Sequence, residues 1–155
     1  VGKQALVEKL RRHALYRALR PDKLCLSALS ATLLHYLKGE AETLLPVYQM
    51  LSRPEAALRD QALSWQQQLG FGSLISGRST IGGGSLPEET LPTWLLALEV
   101  RGPQKLLARL RASKPAIIAR VENNQVVFDP RTVLPDEDQY LLAGIRTALR
   151  QIKEQ

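Results

Sequence analysis

The sequence predicts an α+β domain, with a mixed or antiparallel sheet of about four strands carrying helices on one face, preceded by a helical linker. Three observations predict it. Leucines at three- and four-residue spacing dominate the first part of the chain, the mark of amphipathic helices. Between Gly72 and Asp129 the pattern turns to alternating and β-branched residues punctuated by Gly, Pro and Asn, the mark of short strands and turns. A chain of 155 residues that is 45% apolar but only 5% aromatic has material for one core, built mostly of Leu, Ala, Ile and Val.

Taken in order, Lys3 to about His13 predicts a first helix, with Leu6, Val7 and Leu10 as its apolar stripe. Leu24 to Lys38 predicts a second, on Leu26, Leu29, Leu33 and Leu37, capped by Asp22 and ended by Gly39. Ala41 to Leu51 reads as a short helical or turn connection interrupted by Pro46. Ser52, three residues before Glu55, reads as a capping box with Pro54 in the first turn, opening a helix that Gly70 closes after Leu69. Gly72 to Ile81 predicts a strand, the run Gly82–Ser85 a break, and Leu86 to Pro92 a proline-bracketed connection. Thr93 to Val100, apolar almost throughout, predicts a central strand. Gly102-Pro103 opens a helix to about Ser113 with Leu106, Leu107 and Leu110 inward. Ala116–Glu122 and Gln125–Asp129 predict a hairpin around Asn123-Asn124, because Asn tolerates positive φ. Leu134 to Lys153 predicts a last helix, acidic at its start (Asp136, Glu137, Asp138) and basic near its end (Arg146, Arg150, Lys153), which suits the helix dipole. The expected organisation is a helical linker over residues 1–51 and an α+β domain over 52–155.

The net charge of +6 is uneven: residues 1–38 carry eight Lys or Arg against two acids, and residues 39–155 carry thirteen of each sign. A local field of that kind attracts a polyanion or a small anionic substrate. Lys3, Lys9, Arg11 and Arg12 read as a solvated helix face. Arg17 and Arg20 read differently. Three residues apart on a helical turn they point to one side, and Pro21 stops that turn. Two guanidinium forks side by side make a site for a phosphate-like or carboxylate anion. His13 and Lys23 bracket the same stretch.

Other chemistry is sparse. Gly82, Gly83, Gly84 and Ser85 let a backbone approach closely and present N–H groups, yet they match neither a phosphate-binding loop followed by Gly-Lys-Ser/Thr nor a dinucleotide fingerprint. No serine has a neighbouring histidine in the sequence, and Glu88-Glu89 reads as a solvated loop. Cys25, flanked by leucines, reads as packing, and Trp65 and Trp94 as core or interface. Arg120 and Arg131 flank the hairpin and read as surface residues. His13, His35 and a lone Cys25 cannot assemble an ordinary zinc site, and a single cysteine forms no internal disulfide. No apolar run is long enough to span a membrane, and Val1 leads straight into a charged amphipathic stretch, so a cytoplasmic protein without signal peptide is expected.

Three segments, HALYRALRPDKLCLSAL, STIGGGSLPEETLP and KPAIIARVENNQVVFDPRTVLPDEDQYLL, occur in register over most of the chain. In this combination the sequence resembles the C-terminal part of bacterial selenocysteine synthase, the L-seryl-tRNA(Sec) selenium transferases. The resemblance implies the small C-terminal domain of a fold-type-I pyridoxal-phosphate enzyme. It implies exchange of the hydroxyl of tRNA(Sec)-bound serine for selenium from selenophosphate, with pyridoxal phosphate as electron sink. Seryl-tRNA(Sec), selenophosphate and further copies of the chain are the implied partners. Arg17 and Arg20 are the implied binders of the donor anion, with Gly82, Gly83, Gly84, Ser85 and Arg120 as candidate cleft supports. None of the seven lysines matches the family's cofactor lysine. The chain is therefore expected to be a fragment without catalytic residues of its own, inactive alone and not covalently joined to the cofactor. Two other readings stay open: a related pyridoxal-phosphate lyase acting on a small phosphorylated substrate, and a non-catalytic, basic RNA-binding or assembly module.

Overall fold

The computed structural model describes residues 2–81 and 89–153 and divides the chain into two compact units, Val1–Leu45 and Pro46–Gln155. The expected boundary at 51/52 lies one short helix beyond this division.

The first unit contains α1 (Gln4–Arg11), a 3-10 turn (Ala14–Tyr16), α2 (Lys23–Leu37) and α3 (Ala41–Leu44). Asp22 starts α2 as its sequence position suggests: Oδ1 accepts the Cys25 amide at 2.8 Å, satisfying one of the donors a helix start leaves free. Past its end Gly39 turns the chain at φ +70°. The His35 Nδ1 and Glu40 Oε1 atoms lie 2.9 Å apart across that turn. The leucine stripes do not find a core here. Neither α1 nor α2 buries a side chain, and Leu24 and Leu37 are 80% and 84% exposed. Cys25, expected in packing, is exposed and free.

The second unit contains α4 (Pro46–Ser52), α5 (Glu55–Leu69), β1 (Ser73–Thr80), β2 (Thr90–Glu99), α6 (Pro103–Ala112), β3 (Arg120–Glu122), β4 (Gln125–Phe128) and α7 (Asp138–Lys153). The sheet is antiparallel throughout, in the order β1-β2-β4-β3. The period of two in strand side chains then sorts the core. Leu96 and Leu98 of β2, opposite Phe128 and Val126 of β4, face Trp65 of α5, Leu106, Leu107 and Leu110 of α6, and Leu141, Leu142 and Ile145 of α7. Leu95, Ala97 and Val127 form a smaller cluster on the other face with Ile75. Helices on one face and a central β2, buried from Leu95 to Leu98, match the expectation. So does the hairpin: Asn123 and Asn124 adopt φ of 47° and 62°, the twist a tight antiparallel turn needs. A close approach fixes Gly77 in β1, since a Cβ there would lie 2.4 Å from Leu95 Cδ1.

Three details differ. Ser52 ends α4 rather than capping α5: its hydroxyl donates to the Gln49 carbonyl, Pro54 is the residue before α5, and the Glu55 carboxylate instead accepts the Trp94 indole N–H at 3.0 Å. β2 begins at Thr90, through Pro92. This is tolerated because β4 pairs only with Leu96–Glu99, so at Pro92 the strand has β1 alone beside it and no second ladder needs an N–H. β3 is confined to Arg120–Glu122, leaving Ala116–Ala119 irregular.

Candidate anion-binding site

The stretch from His13 to Lys23 is built by local rules. His13 Nδ1 accepts the Leu15 amide at 3.2 Å and so opens the 3-10 turn. The Leu19 amide returns to the Leu15 carbonyl at 3.0 Å, closing one helical turn on which Arg17 lies. Pro21 interrupts the ladder, and Asp22 restarts it as α2. Arg17 and Arg20 both line one hollow of about 650 Å³, with Tyr16, Pro21, Asp22, Lys23 and Leu26. Arg20, Tyr16 and Pro21 also border a more apolar hollow with Leu10, His13, Leu15 and Leu19.

The electrostatics leave the arginines free. Among the described residues neither forms an ion pair or a hydrogen bond. The carboxylate in the hollow, Asp22, is committed elsewhere: the hydrogen bond from the Cys25 amide holds its pKa below the ordinary 3.8 and keeps it ionised as a helix cap. Lys23 adds a third positive charge to the wall.

The other candidates are placed differently. Gly82, Gly83, Gly84 and Ser85 lie outside the described residues. Arg120 is occupied: its Nε donates to Glu122 Oε1 at 2.6 Å, and its Nη1 lies 3.8 Å from Asp129 Oδ2. Arg131 is no surface residue. It is 5% exposed, and its guanidinium donates to the carbonyls of Met50, Leu51, Arg53 and Pro92. It therefore gathers the end of α4 and the start of β2 onto one group. Asp129, 6% exposed, accepts from Ser79 Oγ at 2.6 Å, Thr93 Oγ1 at 2.9 Å and the Arg131 amide at 3.0 Å. Arg53 extends the network to Pro130, Val133 and Gln61; burial lowers its pKa while the Asp138 charge works the other way. The sequence did carry a partial signal for this cluster, since Asp-Pro-Arg is a turn in which an Asp side chain accepts the amide two residues on. The distant hydroxyls of Ser79 and Thr93 carried none.

Among the described residues no group of three His, Cys, Asp or Glu side chains is placed to hold a metal ion, and no helix is long and apolar enough to cross a membrane.

Comparison with known proteins agrees with the segments noted in the sequence. The family model described as SelA, L-seryl-tRNA selenium transferase, matches residues 1–134. The L-seryl-tRNA(Sec) selenium transferase of Aquifex aeolicus is 40% identical over 159 residues, covering 98% of this chain and 34% of that protein. The proteins of the same name from Geobacter sulfurreducens and Campylobacter jejuni are 35% and 37% identical, each covering 94% of this chain. The chain thus spans about a third of the length of these relatives. A family match across most of the chain, together with relatives that align over nearly all of it, shows that the chain belongs to the L-seryl-tRNA selenium transferase family.

Proposed function

We propose that the chain is the C-terminal part of a pyridoxal-phosphate enzyme that converts seryl-tRNA(Sec) to selenocysteinyl-tRNA(Sec) with selenophosphate, and that Arg17 and Arg20 bind the donor's phosphate. The observation that carries this reading is the pairing of two carboxylate-free guanidinium groups in one hollow. A guanidinium fork offers two parallel N–H donors to an oxyanion and stays charged at any working pH, which a lysine does less well. The names of the relatives supply the reaction class. Pyridoxal phosphate supplies an electron sink when bound. Among the lysines whose side chains are described none fits its covalent seat: Lys3, Lys9, Lys23, Lys38, Lys105 and Lys114 are all exposed. The cofactor lysine accordingly belongs to the longer protein, and no step is assigned to any lysine of this chain. Residues 1–51 act as the connection to the cofactor-bearing part, and the uncovered leucines of α1 and α2 are the surface that part or a second copy packs against. Residues 52–155 form the α+β domain, in which Arg120 braces the sheet edge. The reading includes a cytoplasmic homo-oligomer.

In the longer protein, Arg17→Gln and Arg20→Gln are expected to raise the half-saturating concentration of the selenium donor about tenfold or more, with folding unchanged. Steady-state formation of selenocysteinyl-tRNA at varied donor concentration measures this; unchanged donor dependence in both variants removes the anion role. Pyridoxal phosphate added to the 155-residue chain is expected to keep the visible spectrum of the free cofactor. A stable shifted band would show that this chain has a covalent seat after all.

A further inference from the structure

The balance of charge over residues 39–155 conceals a second concentration. Residues 101–115 and 139–153 hold eight Lys or Arg and no acid. Three of these cations converge. Arg101, after β2, and Arg146 and Arg150, one turn apart on α7, line a hollow of about 590 Å³ with Phe71, Glu99, Val100, Leu149 and Ile152. That volume is in the range of sites that hold small organic ligands, roughly 300–1,000 Å³. Its floor is apolar, and Phe71, just past the end of α5, is 42% exposed. The Arg146 Nη2 donates to the Gln68 carbonyl at 2.6 Å, which fixes one wall. Among the described residues Arg101 and Arg150 have no hydrogen-bond or ion-pair partner, and Glu99 offers the one opposing charge in the lining.

Fixed cations around an apolar floor with an open aromatic face suit an anion that carries a flat apolar ring. We infer that this hollow binds one nucleotide of an RNA strand, with the phosphate on Arg101 and Arg150 and the base against Phe71. The other side of α7 favours a strand over an isolated nucleotide. There Arg109 of α6 and Lys114 line a second hollow with Tyr140, Thr147 and Gln151 of α7, so a polyanion crossing that helix from one hollow meets further positive charge at the other. The choice of RNA over another polyanion rests on the tRNA-linked function proposed above. The site itself is separate from Arg17 and Arg20.

The test is a fluorescence-anisotropy titration of a labelled oligoadenylate of about ten nucleotides with the 155-residue chain, at about 50 mM and about 200 mM salt. The double variant Arg101→Gln/Arg150→Gln is expected to bind about tenfold more weakly at the lower salt and to flatten the log–log salt slope by about 0.7, the share of one phosphate. Phe71→Ala is expected to lose about fivefold or more with the slope unchanged. Arg150→Gln alone, on the exposed side of α7, gives a smaller loss in the same direction, so the result does not hang on one variant's folding. Absence of binding by the unaltered chain overturns the assignment, as does equal binding by the double variant. An unchanged Phe71→Ala variant, or competition by polyglutamate as effective as by unlabelled RNA, reduces the hollow to a general anion site and also overturns it. Adenosine monophosphate competing as well as the strand would make the occupant a free nucleotide. Neither selenium donor nor cofactor enters this measurement, so it fails independently of the donor experiment.

Discussion

A carboxylate that meets three donors and almost no water is hard to replace. Asp129 is such a residue, and Ser79 and Thr93, 5% and 1% exposed, have little access to solvent once it is gone. Asp129→Ala is expected to cost about 2–4 kcal/mol of unfolding free energy, because buried hydroxyls are left without acceptors. Asp129→Asn keeps one acceptor oxygen and loses less. Arg131→Ala belongs in the same range, since four carbonyls lose their donor together. Urea denaturation of the three variants measures these losses. At the start of α2 the sign of the pH effect follows from Asp22. Its folded-state pKa lies below 3.8, so the cap is fully effective above that value and is lost as pH falls through the lowered one. The Cys25 amide is expected to change its NMR shift and exchange faster only in that acidic window, and Asp22→Ala should abolish the transition.

At the level of elements, burial separates leucines that look alike in sequence. Leu95 is wholly buried in β2, and Leu95→Ala is expected to destabilise by about 2–5 kcal/mol. Leu24, 80% exposed on α2, should tolerate alanine within about 0.5 kcal/mol in this chain; thermal melts of the pair test the contrast. The elements legible in the sequence were those with a local cause: Asp22 before α2, Gly39 and Gly70 after helices, Asn123-Asn124 in the hairpin, and the apolar run of β2. Those misread depend on distant partners. Ser52 and Glu55 have capping-box spacing, but Arg131 takes the carbonyls at the end of α4, and Trp94 takes the Glu55 carboxylate. Pro92 looked like a strand breaker because the sequence does not show how far β4 extends along β2. Arg17 and Arg20, which spacing and a proline single out in the sequence, line one hollow. The hollow of Arg101, Arg146 and Arg150 was hidden because its charges come from two segments that meet only after folding.

On the scale of the whole molecule, burial is distributed unequally. The second unit has a continuous core from β2 and β4 through α5, α6 and α7. In the first, α1 and α2 bury no side chain, so little apolar transfer offsets the entropy of ordering them. The arginine pair rides on that lightly anchored segment. If the leucines of α1 and α2 pack against another surface, as proposed, that contact would also restrict the segment that carries the two guanidinium groups. Occupation of the hollow by an oxyanion and association with that surface would then be reciprocal equilibria, each strengthening the other by the same factor. On the proposed reading, affinity for the anion would then serve as a gauge of assembly, weaker in the separated chain than once its apolar helices are covered.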